Sequence, residues 1–559
     1  MDTTRLILIV GLAVVTTMLW EQWQQDYGRP TAPVPTAAAP QQTGSAKQPG
    51  AAAATGGEVP EFGAEQDHKT APVQGEKPAA AVRQTISVHT DTFDLEIDTR
   101  GASIVRADLP KYPTALDKPA QPFVLLDDSG EKLYVVQGGI LSKEDAPTHE
   151  SVFSAAKTDY AMAPGQERLE VPLTWSGDGI KVTKVFGFLR GSYIVDVRYE
   201  VKNDSATTWK GRSYIQIKRS KPEKKHHSMV RAYTGAVISS PDDRYKKLNF
   251  DEIQDQKLQK DIVNGWAAMQ QHYFLTAILP PDKSASYRYY TSVTNGKYYS
   301  IGAISPAQQA APGDTTQLRQ QIYIGPKVQD RLAQIADGLD LTVDYGILWF
   351  LAKPVFWCLK ELHGITGNWG WAIILVTVFL KLLFYRLSAA GYRSMAKMRQ
   401  VQPRMKAARE RYKDDKTRLN QAMMEIYKEE KINPLGGCLP IAIQIPVFIA
   451  LYWVLLGSIE LRQAPFIFWI RDLSAPDPYW VLPLIMGITM FLQQRLNPAP
   501  MDPIQQKVMM ALPFAFTIFF GFFPSGLVLY WVVNNILSII QQWRITHNLE
   551  RAGLSVRKK

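Results

Sequence analysis

The chain is predicted to be an α-helical polytopic membrane protein that carries an all-β domain outside the bilayer. Three observations predict this. Residues 345–543 are mostly apolar and rich in Trp, Phe and Met. Residues 83–325 alternate apolar and polar side chains at period two between turn residues, the pattern of half-buried strands. Residues 28–82 are dominated by Pro, Ala, Gly, Gln and Thr, so they have little to bury and read as a disordered linker. A length of 559 residues is too great for one hydrophobic core, and several domains are expected.

Bulk chemistry narrows the function. The net charge of +11 points to anionic lipid or ribosomal RNA as a neighbour. The two cysteines, Cys358 and Cys438, both lie in the apolar half, so the long polar segment holds neither a disulfide framework nor a Cys-based zinc site. His226 and His227 are adjacent, but no HExxH spacing occurs, and no metal is expected. Without a Walker A loop or a GxGxxG after a strand, no nucleotide cofactor and no internal motor are expected.

In chain order, LILIVGLAVVTTMLW at 6–20 reads as an uncleaved signal anchor, so 1–27 is the first span with its N-terminus in the cytoplasm. Residues 83–340 form the β-domain. TFDLEIDT, VTKVFGFL, YIVDVRYEV, SYIQIKR, YYSIGAI and QQIYIG are its clearest strands, and many strands without helical repeats suggest an antiparallel sandwich. Residues 327–339 have helical spacing and close the domain. At 344–362, Lys353 and Lys360 share one helical face while Trp349, Phe350, Phe356 and Trp357 cover the rest, the pattern of an interfacial amphipathic helix.

The remaining spans are expected at 366–387, 434–458, 479–495, 508–523 and 525–543, with an external loop at 459–478. Between the second and third lies 388–433, with twelve basic against six acidic side chains. It reads as an antiparallel helical hairpin turning at KDDK, 413–416, with soft faces built from Met395, Met398, Met405 and Met423. The tail, 544–559, is basic. Six spans with both termini inside place these basic segments in the cytoplasm. The last apolar runs are short. A run of about 15 helical residues covers ~22 Å of a ~30 Å core, which favours local thinning of the bilayer.

Polar side chains inside the spans mark the candidate site. Lys381 sits in WGWAIILVTVFLKLLFYRL, where an ammonium costs roughly 2.5–3.5 kcal/mol. Thr377 lies one helical turn before it. Gln444, Thr489, Thr517, Asn534, Asn535 and Ser538 are the other polar groups in the spans, and no carboxylate lies in any of them. An unpaired cation argues for a wet cavity.

NPLGGCLPIAIQIPVF, ELRQAPFIFWIRDLSA and FPSGLVLYWVVNN resemble the core of the YidC/Oxa/Alb family of membrane insertases. DTFDLEIDTRGASI, GWAAMQQHYFLTAILP and LDLTVDYG are similar to the external domain of its Gram-negative form, so the resemblance runs the length of the chain. It implies a periplasmic β-supersandwich of the galactose-mutarotase-like type and a five-helix core in the inner membrane. The core would enclose a hydrophilic groove open to the cytoplasm and to lipid. The family's positive groove residue, often Arg, matches Lys381, which keeps the charge and loses the bidentate fork. Groove-lining and substrate-contact positions match Thr377, Gln444, Tyr530 and Trp531, with Asn534 beside them. The four hairpin methionines would receive substrate. The implied partners are nascent membrane proteins, the Sec translocon (SecYEG and SecDF), ribosome–nascent chain complexes with the signal recognition particle pathway, and anionic lipids. Neither chemical catalysis nor a cofactor is implied. The competing readings are a membrane Ser–Lys hydrolase, a sugar enzyme of the β-domain and a small-solute transporter.

Overall fold

The computed structural model describes residues 60, 84–222, 233–412, 415–430, 439–497, 503–549 and 551. The expected anchor, nearly all of the linker, the first two residues of the hairpin turn and the end of the basic tail lie outside the described residues.

Residues 85–326 form two sheets, of eleven and nine strands. Each of the six runs singled out by period-two alternation lies in a strand. The pairing of Thr85–His89 with Asp159–Ala161 is parallel, and the other named ladders are antiparallel. Alternation decides which side of each strand is buried. In Ile194–Asn203, Val195, Val197, Tyr199 and Val201 are buried, while Arg198 and Glu200 pair on the opposite face at 2.9 Å. The two inner faces share one core that includes Trp209, Trp266, Phe186 and Tyr199. Burying each such side chain stabilises the fold by ~1.5–3 kcal/mol.

One cation lies inside this sandwich. Lys184 Nζ donates to the carbonyls of Gly101 (3.0 Å), Ala102 (2.8 Å) and Gly138 (3.3 Å). It also sits over the rings of Phe186 and Tyr199, at 5.2 and 5.3 Å from their centroids. Burial pushes its pKa down to about 7. Gly101 has φ +71°, and a Cβ there would lie 2.2 Å from the His149 carbonyl oxygen, so only glycine lets the chain turn at this contact.

The helices are α1 (Phe250–Asp255), α2 (Gln329–Ile335), α3 (Trp349–Thr366), α4 (Trp369–Leu383), α5 (Tyr385–Arg411), α6 (Lys416–Glu429), α7 (Leu439–Gly457), α8 (Val481–Leu496), α9 (Pro503–Phe520) and α10 (Ser525–Leu549). The closing helix read at 327–339 is α2, followed by a 3-10 turn at Leu339–Thr342. In α3 the two lysines of the amphipathic pattern turn toward the β-domain: Lys353 pairs with Asp340 at 3.0 Å and Lys360 with Asp330. Trp349, Phe350 and Trp357 are exposed, and Phe356 is buried.

The segment read as one span over 366–387 is two helices. α4 ends at Leu383 and α5 leaves it bent by 67°. Among the described residues, no single helix is long and apolar enough to cross a membrane, and the shorter apolar helices are Gln444–Gly457, Val481–Leu496 and Gln506–Phe520. α10 has 25 residues, and its amides lower its hydropathy. Close packing replaces length as the organising feature. A Cβ on Gly370 would lie 2.0 Å from the Phe466 ring, and one on Gly487 would lie 2.0 Å from Thr517 Oγ1.

The β-domain meets the helices at a defined joint. Tyr345 and Ser458 share a hydrogen bond of 3.1 Å, and His272 Nε2 donates to the Leu456 carbonyl at 2.7 Å. Arg462 Nη2 donates to Pro113 O at 2.7 Å and lies over the Phe123 and Phe274 rings. Glu460 is half-buried in the same joint, and its Oε2 has no hydrogen-bond partner among the described residues. Burial, with Asp330 nearby, raises its pKa to about 7. A carboxyl raised above its ordinary 4.5 favours the docked state fully in acid and loses that contribution as pH rises through about 7. Hydrogen exchange at 459–464, corrected for the chemical rate, is therefore expected to quicken between pH 5 and pH 8. Glu460→Gln is expected to flatten that dependence. An unchanged slope in the Gln variant would show that another group titrates there.

Candidate functional site

α4 carries an uninterrupted apolar run with its N-terminus capped by Asn368, whose Oδ1 accepts from Gly370 N and Trp371 N. Thr377 and Lys381, four apart, fall on one face. Because α4 stops at Leu383, Lys381 lies in its last turn, where the helix dipole favours a cation by ~0.3–1 kcal/mol. Reading 369–387 as one continuous helix puts the lysine deeper, without this support.

α10 supplies the opposite wall. Asn534, Asn535, Ser538, Gln541 and Gln542 are all buried. Their spacing of one, four, seven and eight residues makes a polar stripe on one helical face. The bridging groups of the stripe reach three elements, α4, α5 and α8. Asn535 Nδ2 donates to Thr489 Oγ1 of α8 at 3.3 Å. Gln541 Nε2 donates to Tyr385 O at 3.2 Å, and Gln542 Nε2 to Leu496 O at 3.1 Å. Lys381 Nζ donates to Ser538 Oγ at 2.7 Å, and that hydroxyl passes its own proton to Asn534 O at 2.7 Å. Among the described residues the ammonium makes no ion pair, so its positive charge is not neutralised.

A cavity of about 40 Å3 opens beside this contact. Thr377, Lys381, Gln444, Tyr530 and Asn534 line it, together with Ser388. Leu380, Phe384, Leu387 and Val447 complete the lining, and the volume is enough for a small number of waters. The structure thus brings together five of the six groove residues read from the sequence. The sixth, Trp531, is elsewhere. One residue past Tyr530 it points about 100° away on the helix, and its ring packs on Phe448 (4.6 Å) and Phe520 (5.2 Å). Thr377 lines the cavity while its hydroxyl bonds its own helix, at Ile373 O. Ser388 escaped the sequence reading, and Ser538 was named there only as a polar group of the last span, not as a groove residue. The signal for Ser538 was present in the 534/538/541/542 spacing.

The hairpin methionines are also placed differently from a receiving surface. Met405 is buried with Val401 and Ile426, and Met398 and Met423 pack against them between α5 and α6. Met395 packs on Ala389, Tyr392 and Ile545. Met398, Met405 and Met423 fill the hairpin's own interior, because their spacing faces the partner helix, while Met395 faces α10. Met424 is the exposed one, at 52%.

Chemically, the site can attract an anion or a polar group into a small wet space. It is poorly built for nucleophilic catalysis. Ser538 is 2% exposed, so no substrate reaches it, and Lys381 donates to its oxygen rather than taking its proton.

The family description "YidC periplasmic domain" matches residues 85–358, and "60Kd inner membrane protein" matches 361–552. A curated relative from Thioalkalivibrio sulfidiphilus, named membrane protein insertase YidC, is 49% identical over 99% of this chain and 100% of its own. This chain belongs to the YidC family of membrane protein insertases. A second YidC, from Methylococcus capsulatus, is 48% identical over 99% of both chains. A solved structure described as an active YidC insertase with its first transmembrane domain resolved aligns with 82% of this chain and 94% of that one, at 18% identity and a TM-score of 0.37. As a YidC insertase of the inner membrane, the chain acts on nascent membrane proteins and is not an enzyme.

A wet cavity is measurable. With Cys358 and Cys438 replaced by Ser, a cysteine at Ser388 or Gln444 is expected to react with a small water-soluble thiol reagent. A cysteine at Ala372, which is fully buried, is not. Equal protection of all three would mean a dry site.

Proposed function

We propose that insertion runs through the groove at Lys381. The observation that carries this reading is an ammonium whose described partner is a neutral hydroxyl, in a cavity lined by amide and hydroxyl groups. Acidic or polar residues of an incoming chain are drawn to that charge. Asn534, Gln444 and Tyr530 exchange hydrogen bonds with groups that would otherwise enter hydrocarbon unsatisfied, at a cost of several kcal/mol each. The apolar part of the substrate then partitions into lipid beside α7 and α9, which is favourable by itself.

The proposal includes six spans with both termini in the cytoplasm, five of them forming the groove. Its support is the arrangement of charge and aromatic side chains. Twelve basic residues lie in 388–433, while Phe468, Tyr479 and Phe522, which flank the helix ends of the other side, are exposed as in an interfacial belt. The bent pair α4–α5 then makes one broken span, and α3 lies along the outer interface on Trp349, Phe350 and Trp357. α8, with 16 residues, reaches only about 24 Å, which favours a thinned bilayer at the groove. The membrane potential assists acidic outgoing segments by ~2.3 kcal/mol per charge per 100 mV.

The α5–α6 hairpin is the proposed entry. Substrate meets Met424 first, and it reaches Met398, Met405 and Met423 when the two helices part. The proposed partners are the SecYEG and SecDF translocon, ribosome–nascent chain complexes of the signal recognition particle pathway, and anionic lipid against the basic hairpin. The family resemblance and the hairpin charge support them.

The test is a charge series at one position, read by insertion of small membrane proteins into vesicles. Lys381→Arg is expected to retain insertion. Lys381→Ala and Lys381→Glu are expected to lose it for substrates with acidic translocated segments, with Glu the worse. Normal insertion of every substrate by Lys381→Glu would remove charge capture from the mechanism.

A further inference from the structure

Ser538 touches the groove cation without touching the groove. It is 2% exposed, and on α10 the cavity is lined instead by Asn534 and Tyr530, one and two turns nearer the start of that helix. A substrate in the cavity meets Lys381, Asn534 and Tyr530, and it does not meet Ser538.

The Ser538 hydroxyl is set in one orientation. A serine hydroxyl has one proton to give and two lone pairs that receive. The proton goes to the backbone carbonyl of Asn534 at 2.7 Å, one turn back on the same helix. Only acceptance is left, and the Lys381 ammonium takes it at 2.7 Å. The phenol of Tyr392 on α5, also buried, lies beside the same hydroxyl. The contact therefore joins α4 to α10 at a point where α5 packs.

The lysine needs such a holder. Its four-carbon stem is flexible, and an ammonium near a helix end in a membrane ordinarily snorkels to the nearest water. Lys381 is half-buried in the last turn of α4, and Arg386, just past the bend, is exposed. Among the described residues no other group bonds the ammonium. With one donor spent on Ser538, two N–H groups are left for the cavity.

We propose that Ser538 is the positioning residue of the groove: it fixes the Lys381 ammonium at the depth of the cavity and thereby sets the preference for acidic segments. The inference rests on the proposed groove for the effect on insertion, but not for the effect on the lysine.

The test reads the lysine and the insertion separately. In the full chain in lipid nanodiscs, the rate at which a water-soluble acylating reagent modifies Lys381 is followed by mass spectrometry. Ser538→Ala is expected to raise that rate about tenfold, because a hydrogen bond to a charged group shifts an equilibrium by at least this ratio. Ser538→Thr, which keeps the hydroxyl and its bond to the preceding turn, is expected to stay at the original rate. An unchanged rate in Ser538→Ala would overturn the proposal. In vesicles, Ser538→Ala is expected to lose insertion of substrates with acidic translocated segments and to keep that of a neutral one. In a Lys381→Ala background it is expected to have no further effect. An equal loss in both backgrounds would make Ser538 a packing residue between α4, α5 and α10 and overturn the proposal. Full insertion of acidic substrates by Ser538→Ala, beside a defective Lys381→Ala, would overturn it as well. Normal insertion of those substrates by Lys381→Ala would remove the groove reading and leave the acylation rates to decide the positioning.

Discussion

A charge and a row of amides inside an apolar bundle have to find partners within the protein, and the helical region is arranged around that constraint. The stripe on α10 is the hub. Asn535 and Gln542 bind α8, Ser538 accepts from Lys381 of α4, and Gln541 binds the start of α5. Lys381 joins the hub from α4. Its cost in hydrocarbon is roughly 2.5–3.5 kcal/mol. A charge-assisted hydrogen bond returns ~1.5–3 kcal/mol and the end of a helix ~0.3–1 kcal/mol. These terms are close in size. The lysine is therefore held without a carboxylate among the described residues, and its charge is not neutralised.

The other cations of the chain show the contrast. Lys353 and Lys360 on α3 are each matched to an aspartate of the β-domain, and these pairs anchor the helix to the sandwich. Lys184 is caged by three carbonyls and two aromatic faces in the core. Both kinds are used up by structure. Among the described residues Lys381 is held by a neutral hydroxyl alone. What separates it from Lys184 is access, because Lys184 is enclosed in the core of the sandwich and Lys381 borders a cavity. The joint through Arg462, His272, Tyr345 and Glu460 ties the two regions mechanically.

Most of the β-domain was legible because period two leaves one choice of buried face per strand, as in Ile194–Asn203. The polar members of the groove were legible as exceptions in apolar runs. Lys381, Thr377, Gln444 and Asn534 stand out against their neighbours, and the family motifs added Tyr530. Spacing alone did not reveal that Trp531 turns into the aromatic cluster, that Met398, Met405 and Met423 face inward, or that α4 breaks after Leu383. No proline or glycine marks that break in KLLFYRL.

By itself, then, the sequence determined the division into sandwich and apolar helices, the family, and the presence of a lysine that no span carboxylate could neutralise. These depend on composition and local period. Tertiary structure alone decided that the partner of Lys381 is Ser538, that a small cavity lies between α4, α5, α7 and α10, and that α3 spends its lysines on the β-domain. Each of those is a contact between residues tens to more than a hundred positions apart, and side-chain pairing across such distances is set by packing rather than by any repeat in the chain.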